Sequence, residues 1–451
     1  MDAALAYFEK HRDRFLDLLF EYLRIPSVSA QRDKHPEARR AGDFIRARLE
    51  DAGFRTGAFE GDGLPTIHGS RIEDGKRPTL LVYGHYDVQP PEPLELWESP
   101  PFEPTIVQGE IRARGAADDK GPSLALVFAA ECWAKGAGGI PVNLRAVIEG
   151  EEECGGHVVD HFLEAHARDL RSDALVIADT AGIDRGTPAL VYGLRGILAA
   201  EVTVTGPARD LHSGSYGGSL QNPATALARL IATFHDAKGR VAIAGFYDGV
   251  APLDAAERAR MAAVPFDEGR WREETGAPAP FGEEGFSTLE RETARPTCEI
   301  NGIFGGYQGE GSKTIIPARA GCKITCRLVP SQDPDRVYAA LERHVAAHAP
   351  PGVKVAIAPG HRTPAVFTDP ETRWAKAARA ALEKAFGRPP ALTRAGGSIP
   401  VVTAFQRLLG LPPLLLGTYA PGERAHSPNE RYFVADFHAA IRTGIELFRG
   451  V

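Results

Sequence analysis

Residues 79–90 read TLLVYGHYDVQP. Thr79 to Tyr83 form a short apolar run suited to the middle of a sheet, because a strand covered on both faces does not alternate. Gly84 then allows a turn, His85 and Asp87 follow, and Pro90 and Pro91 forbid further strand. A core strand that delivers an imidazole and a carboxylate to its own end is expected at the rim of a parallel sheet, where α/β proteins keep their chemistry. Two residues apart on extended backbone, these side chains share a face. That suits a metal-bound imidazole steadied by a carboxylate, with a surface His–Asp pair as the plainer alternative.

The same design recurs along the chain. Apolar runs at 142–148 and 174–178 lead straight into Glu149–Glu153 and Asp179, with helical stretches at 122–135 and 156–168 between them. Helices are also expected over 3–23 and 36–52. From Gly196 the texture changes: ILAAEVTVTG alternates as a strand, 222–236 reads as helix, and 240–295 is rich in Pro, Gly and Glu with little periodicity. Strands at 298–304, 322–329 and 353–358 and a helix at 333–348 complete a smaller α+β unit. Helix 370–387, the run LPPLLLG at 411–417 and helix 433–449 then restore the first texture. The expected fold is α/β, with a mainly parallel central sheet flanked by helices and an α+β domain inserted in it. The expected bounds are 1–196 and 365–451 for the main domain and 197–364 for the insertion.

At 451 residues, 43% hydrophobic and 25% charged, the chain has the composition of a soluble multi-domain protein. Its net charge of −7, from 59 acids and 52 bases without a basic block, argues against nucleic acid or an anionic membrane as partner. No basic start precedes an apolar core at the N-terminus, so no secretory signal is expected, and no apolar run reaches the ~20 residues that span a bilayer. Five cysteines without CxxC spacing read as reduced thiols, which together with these features gives a cytoplasmic expectation.

Three further stretches carry chemistry. RGAADDKGPS, residues 114–123, sets Asp118 and Asp119 before a helix whose first turn suits Pro122. One aspartate would serve as a cap facing the helix dipole; two between glycines exceed that need. IEGEEECGG, 148–156, crowds Glu149, Glu151, Glu152 and Glu153 at a strand end. A solvated acidic loop competes with a convergence of carboxylates that requires a cation. AHSPNE, 425–430, adds His426. Two histidines and three carboxylates make a mixed N/O ligand set for a pair of divalent ions.

Taken in order, YGHYDVQP, RGAADDKG, EGEEECGG, IADT, DLHSGSYGG, CRLVP, GGSIP and AHSPNE resemble the M20 family of metallopeptidases, and within it the carnosinase-type cytosolic dipeptidases. The resemblance runs from about residue 80 to 430; the first 75 residues add two suitable helices. It implies that His85 and Asp179 bind one metal, Glu153 and His426 the other, and that Asp118 bridges them, joined to Asp119 by a cis peptide. It gives Zn²⁺ as the first choice, with Mn²⁺ or Co²⁺ as alternatives. Asp87 would orient His85. Glu152 would be the general base, although the extra acid Glu151 leaves that alignment one residue from an alternative. A dinuclear centre of this kind brings a shared water toward a pKa of ~7.

The same resemblance makes the insertion a lid and dimerisation domain of a homodimer. His212 would stabilise the oxyanion in the neighbouring subunit's active site. Arg327 would pair with the C-terminal carboxylate of a small peptide substrate, with Thr314, His361, Gly397 and Ser398 as further grips. Surface, turn and cap roles compete for each of these. The implied activity is cleavage of dipeptides or short peptides with a free C-terminus; an N-acyl-amino-acid amidohydrolase or desuccinylase on the same scaffold is the alternative. A catalytically silent binding protein would lack a ligand or the base, and all six positions are filled. The 240–295 stretch matches the family pattern poorly.

Overall fold

The computed structural model describes residues 2–451. The chain forms two compact units. One runs to Tyr192 and resumes over Phe367–Thr393 and Ala404–Val451; the other comprises Gly193–Val366 and Arg394–Thr403.

The first unit is built on a nine-stranded sheet. Its centre is four parallel neighbours, in the order Asn143–Glu149, Thr79–His85, Ala174–Ala181 and Pro413–Tyr419. The apolar runs in the sequence become these strands, and their side chains are buried on both faces. Antiparallel strands flank the centre: Thr66–Arg71 and Arg55–Phe59 beyond Asn143–Glu149, and Ala189–Leu194 beyond Pro413–Tyr419. Arg55–Phe59 and Thr66–Arg71 extend the N-terminal region beyond the two expected helices, which are present at Ala3–Leu23 and His35–Asp51. Their polar, half-exposed sequences RTGAF and TIHGSR lack the apolar signature of the central strands.

Helix Lys120–Gly136 packs in the middle of this unit and is buried from Lys120 to Trp133. It fits against strand Thr79–His85 because Gly84 has no side chain. A Cβ there would lie 2.5 Å from Ser123 Cβ and 2.8 Å from Asp119 Oδ2. Leu124, Phe128, Phe15, Phe437 and Ile441 join the strands in one apolar core. Burial of each such side chain contributes about 1.5–3 kcal/mol before entropy is counted. The strand ends, and the residues that follow them, are thereby held on a rigid base.

The second unit holds a four-stranded antiparallel sheet, in the order Thr297–Gly305, Arg319–Leu328, Gly196–Thr205, Lys354–Thr363. Gly196–Thr205 alternates between buried and part-exposed positions along its length. Leu198, Val202, Ile324 and Cys326 face helices Pro223–Ile231 and Pro334–Ala347 through Leu227, Leu230, Val337 and Leu341. The 240–295 stretch, which shows little periodicity in sequence, contains three short helices, each capped by an aspartate or serine. Among the described residues no helix is long and apolar enough to cross a membrane.

Candidate active site

In the first unit, parallel strands end side by side, with His85 and Glu149 as direct partners in register. His85 and Asp87 are both fully buried, which removes the surface-pair alternative. His85 Nε2 lies 3.1 Å from Asp118 Oδ1 and 3.9 Å from Asp179 Oδ2, yet makes no hydrogen bond. On the other side of the ring, Nδ1 is 3.1 Å from the Asp87 carbonyl oxygen and 3.4 Å from Asp87 Oδ1. His426 Nε2 stands 3.0 Å from Asp118 Oδ2 and 3.2 Å from Glu153 Oε2. Two clusters result, His85–Asp118–Asp179 and Asp118–Glu153–His426, each with its donor atoms within 4.8 Å of one another. Asp118 offers one oxygen to each. Four side chains, His85, Glu153, Asp179 and His426, meet around the Asp118 carboxylate.

The loop around Asp118 is fixed from several directions. Its peptide bond to Asp119 is cis. Asp119 precedes helix Lys120–Gly136 without capping it; instead Oδ2 accepts from the His85 backbone N–H at 3.2 Å. Glu430, fully buried, accepts from Arg114 Nη1, Gly115 N and Ala117 N at 2.8 Å and from Asp118 N at 3.1 Å. On the opposite side, Asp87 Oδ2 accepts from Glu153 N at 3.0 Å, and Gln89 Nε2 donates to Glu153 Oε2 at 2.9 Å. Glu430, Arg114 and Gln89 were not singled out in the sequence. Each lies inside or beside a quoted motif, but their partners are 64 to 316 positions away.

The acids differ in duty. Glu149 accepts the Tyr83 hydroxyl at 2.6 Å, and Glu151 accepts the Leu64 backbone N–H at 3.1 Å, so both are engaged structurally. Burial pushes Glu152 up to about 7, with Glu153, Asp87 and Asp118 adding to the shift. It also pushes Asp179 well above the carboxylate range, reinforced by Asp118 and Asp119. Burial opposes ionisation of Asp118 too, but His426 and His85 outweigh it and hold this carboxyl well below its usual value. The reverse face of that interaction is an upward shift of both imidazoles. Asp118 and Glu153 raise His426 to about 10, and Asp118 and Asp87 raise His85 against its burial.

The remaining candidates lie in the second unit. His212, exposed, accepts the Gly214 N–H on Nδ1 at 2.9 Å. Leu211–His212 pairs with Ile315–Ile316, and Ser213 N donates to the Thr314 carbonyl at 2.9 Å, so His212 and Thr314 are neighbours. Arg327 Nη1 donates to Ser398 Oγ at 3.0 Å, beside Gly397. His361 is on strand Lys354–Thr363, where the register to Gly196–Thr205 shifts, and its Nε2 is 2.7 Å from Thr363 Oγ1.

Residues 81–449 match the model of peptidase family M20/M25/M40. A Cys-Gly metallodipeptidase of Schizosaccharomyces pombe is 31% identical over 98% of this chain and 96% of its own. The human Beta-Ala-His dipeptidase is 29% identical over 96% of this chain and 89% of its own. Among solved structures, an M20 family metallo-carboxypeptidase from Sulfolobus solfataricus superposes with a TM-score of 0.84 at 31% identity, covering 97% of this chain and 98% of the other. The chain belongs to peptidase family M20/M25/M40, as a hydrolase of its carnosinase-type dipeptidase branch.

Proposed function

We propose that this protein hydrolyses the peptide bond of dipeptides or short peptides with a free C-terminal carboxylate, using two divalent cations and Glu152. The observation that carries the reading is Asp118, one carboxylate shared by two ligand clusters. The donors suit cations. A fully buried imidazole nitrogen without a hydrogen bond faces carboxylate oxygens at 3.1 and 3.9 Å. The carboxylates around both imidazoles favour positive charge at these positions, which a divalent ion would supply in place of a proton. His85 and Asp179 would hold one ion, Glu153 and His426 the other, and Asp118 both. Zn²⁺ is preferred for this mixed N/O set, with Mn²⁺ and Co²⁺ able to replace it. When bound, the pair supplies Lewis acidity that activates water and polarises a scissile carbonyl.

The chain's own groups divide the rest of the work. Glu152, raised toward neutrality by burial, accepts a proton from the attacking water and passes it to the departing amine nitrogen. Asp87 fixes the His85 ring through Nδ1 and the Glu153 backbone through its second oxygen. Arg327, with Ser398 and the adjacent Gly397, binds the substrate carboxylate; Thr314 and His361 are further contacts for it. His212, on an exposed turn, donates to the developing oxyanion in the neighbouring subunit of a homodimer working in the cytoplasm. The test is hydrolysis of Ala-Ala, β-Ala-His and N-acetylated amino acids by metal-loaded protein. Turnover of the free dipeptides supports the reading; turnover of the acylated amino acids alone would replace it with an amidohydrolase.

A further inference from the structure

Near the point where the chain enters the second unit, Arg195 forms a junction that no assigned role explains. Its Nε donates to the Gly396 carbonyl at 3.0 Å, and its Nη1 to the carbonyls of Arg291 and Arg295 at 3.3 Å each. The Arg195 carbonyl accepts the Ser398 hydroxyl, and Ser398 Oγ accepts from Arg327 Nη1 at 3.0 Å. One residue thus fastens the 394–398 loop and the end of helix Thr288–Thr293 to strand Gly196–Thr205. Packing at the junction is tight: a Cβ on Gly396 would meet the Glu292 carbonyl at 2.6 Å. Arg195 and Arg327 line one cavity of about 640 Å³ together with Thr297, Glu299 and Thr325. Burial and the neighbouring charge of Arg327 lower Arg195 to about 10. Neither guanidinium has an ion-pair partner among the described residues. Glu292 and Glu299, on the same cavity, offset the repulsion between the two guanidiniums only in part, and neither forms an ion pair with them, so a carboxylate entering the cavity is favoured.

We infer that Arg195 is a positioning residue: by fastening Gly396 with its side chain and Ser398 with its backbone carbonyl, it sets the Arg327 guanidinium to receive the substrate's C-terminal carboxylate. The inference rests on the reading of Arg327 given above. It also gives the 240–295 stretch a purpose, since the end of its last helix is part of what Arg195 fastens.

The test is a kinetic comparison of R195M, S398A, R327M and the R195M/R327M double variant, metal-loaded, on a dipeptide with a free C-terminus. R195M and S398A each raise KM about tenfold, the size expected for a charge-assisted hydrogen bond, with a much smaller change in kcat. In the R327M background, R195M adds no further rise. If R195M does not fold, R195K carries the test, since it keeps the charge but not the three-way hydrogen bonding: a raised KM that disappears in the R327M background supports the inference and a wild-type KM overturns it. If R327M raises KM while R195M and S398A keep the wild-type value, the inference fails and the Arg327 reading stands. R195M that lowers Tm and kcat at unchanged KM is a structural role only and also overturns it. If R327M itself keeps the wild-type KM, both fall.

Discussion

At the residue scale, neighbouring carboxylates of one motif are separated by what each one touches. Glu149 is occupied by Tyr83 and Glu151 by the Leu64 backbone, whereas among the described residues no hydrogen bond of the Glu152 carboxylate competes with a proton-transfer role. E152Q is therefore expected to lower kcat by at least about a thousandfold while metal content and KM hold, as removal of a general base should. E151Q should leave kcat within a few-fold and act on stability instead. Steady-state kinetics beside metal analysis check both. A pH effect follows from the same crowding. Burial raises Asp119 and Glu149 to about 8, from ordinary values of 3.8 and 4.5. Between those values the metal-free fold binds more protons than the unfolded chain, so its stability is greatest at low pH and falls as pH rises toward about 8. With divalent cations held beside them, Asp119 and Glu149 would ionise more readily and the loss would shrink. Thermal unfolding of chelated protein should show Tm declining from about pH 5 to pH 8, and metal-loaded protein should show a smaller decline. A rising Tm for the chelated form would contradict this.

At the scale of elements, the central strands and the helix between them were legible because burial on both faces writes itself as a continuous apolar run. Thr79–His85, Asn143–Glu149 and Ala174–Ala181 stand within three residues of their expected ends. The flanking strands Arg55–Phe59, at the sheet edge, and Thr66–Arg71, next to it, were not legible, since their partly exposed positions carry polar residues and break any apolar run. Helices in 240–295 escaped because they are short and polar, and their identity rests on caps such as the Ser287–Glu290 capping box. The metal-ligand candidates could be named only through the family pattern; spacing alone left each His and Asp with a plainer role. Glu430 shows the limit. It lies four residues after His426, but its partner Arg114 is 316 positions away and nothing local announces the bond. E430A should destabilise the fold by about 3 kcal/mol, because it strands the buried Arg114 charge and three backbone donors. It should also weaken metal binding by loosening Asp118. Chemical denaturation and metal titration read the two effects separately, and a wild-type metal affinity would dissociate the clamp from the site.

At the scale of the whole molecule, the proposed roles of His212 and Arg327 fall to residues of the second unit, while both ligand clusters belong to the first. If His212 serves the neighbouring subunit, then H212A and E152Q, each inactive alone, should regain activity when mixed under conditions of subunit exchange. Activity absent from the mixture, with exchange verified by mass, would place His212 in its own subunit's site. The central claim remains that residues from 85 to 426 gather two cations around Asp118. Its most direct test is metal analysis of active, unchelated protein, combined with anomalous scattering from its crystals, for the wild type and D118N. The account predicts two ions per chain on either side of Asp118 and loss of both in D118N. Active protein holding no ion there, or D118N retaining both, would contradict it.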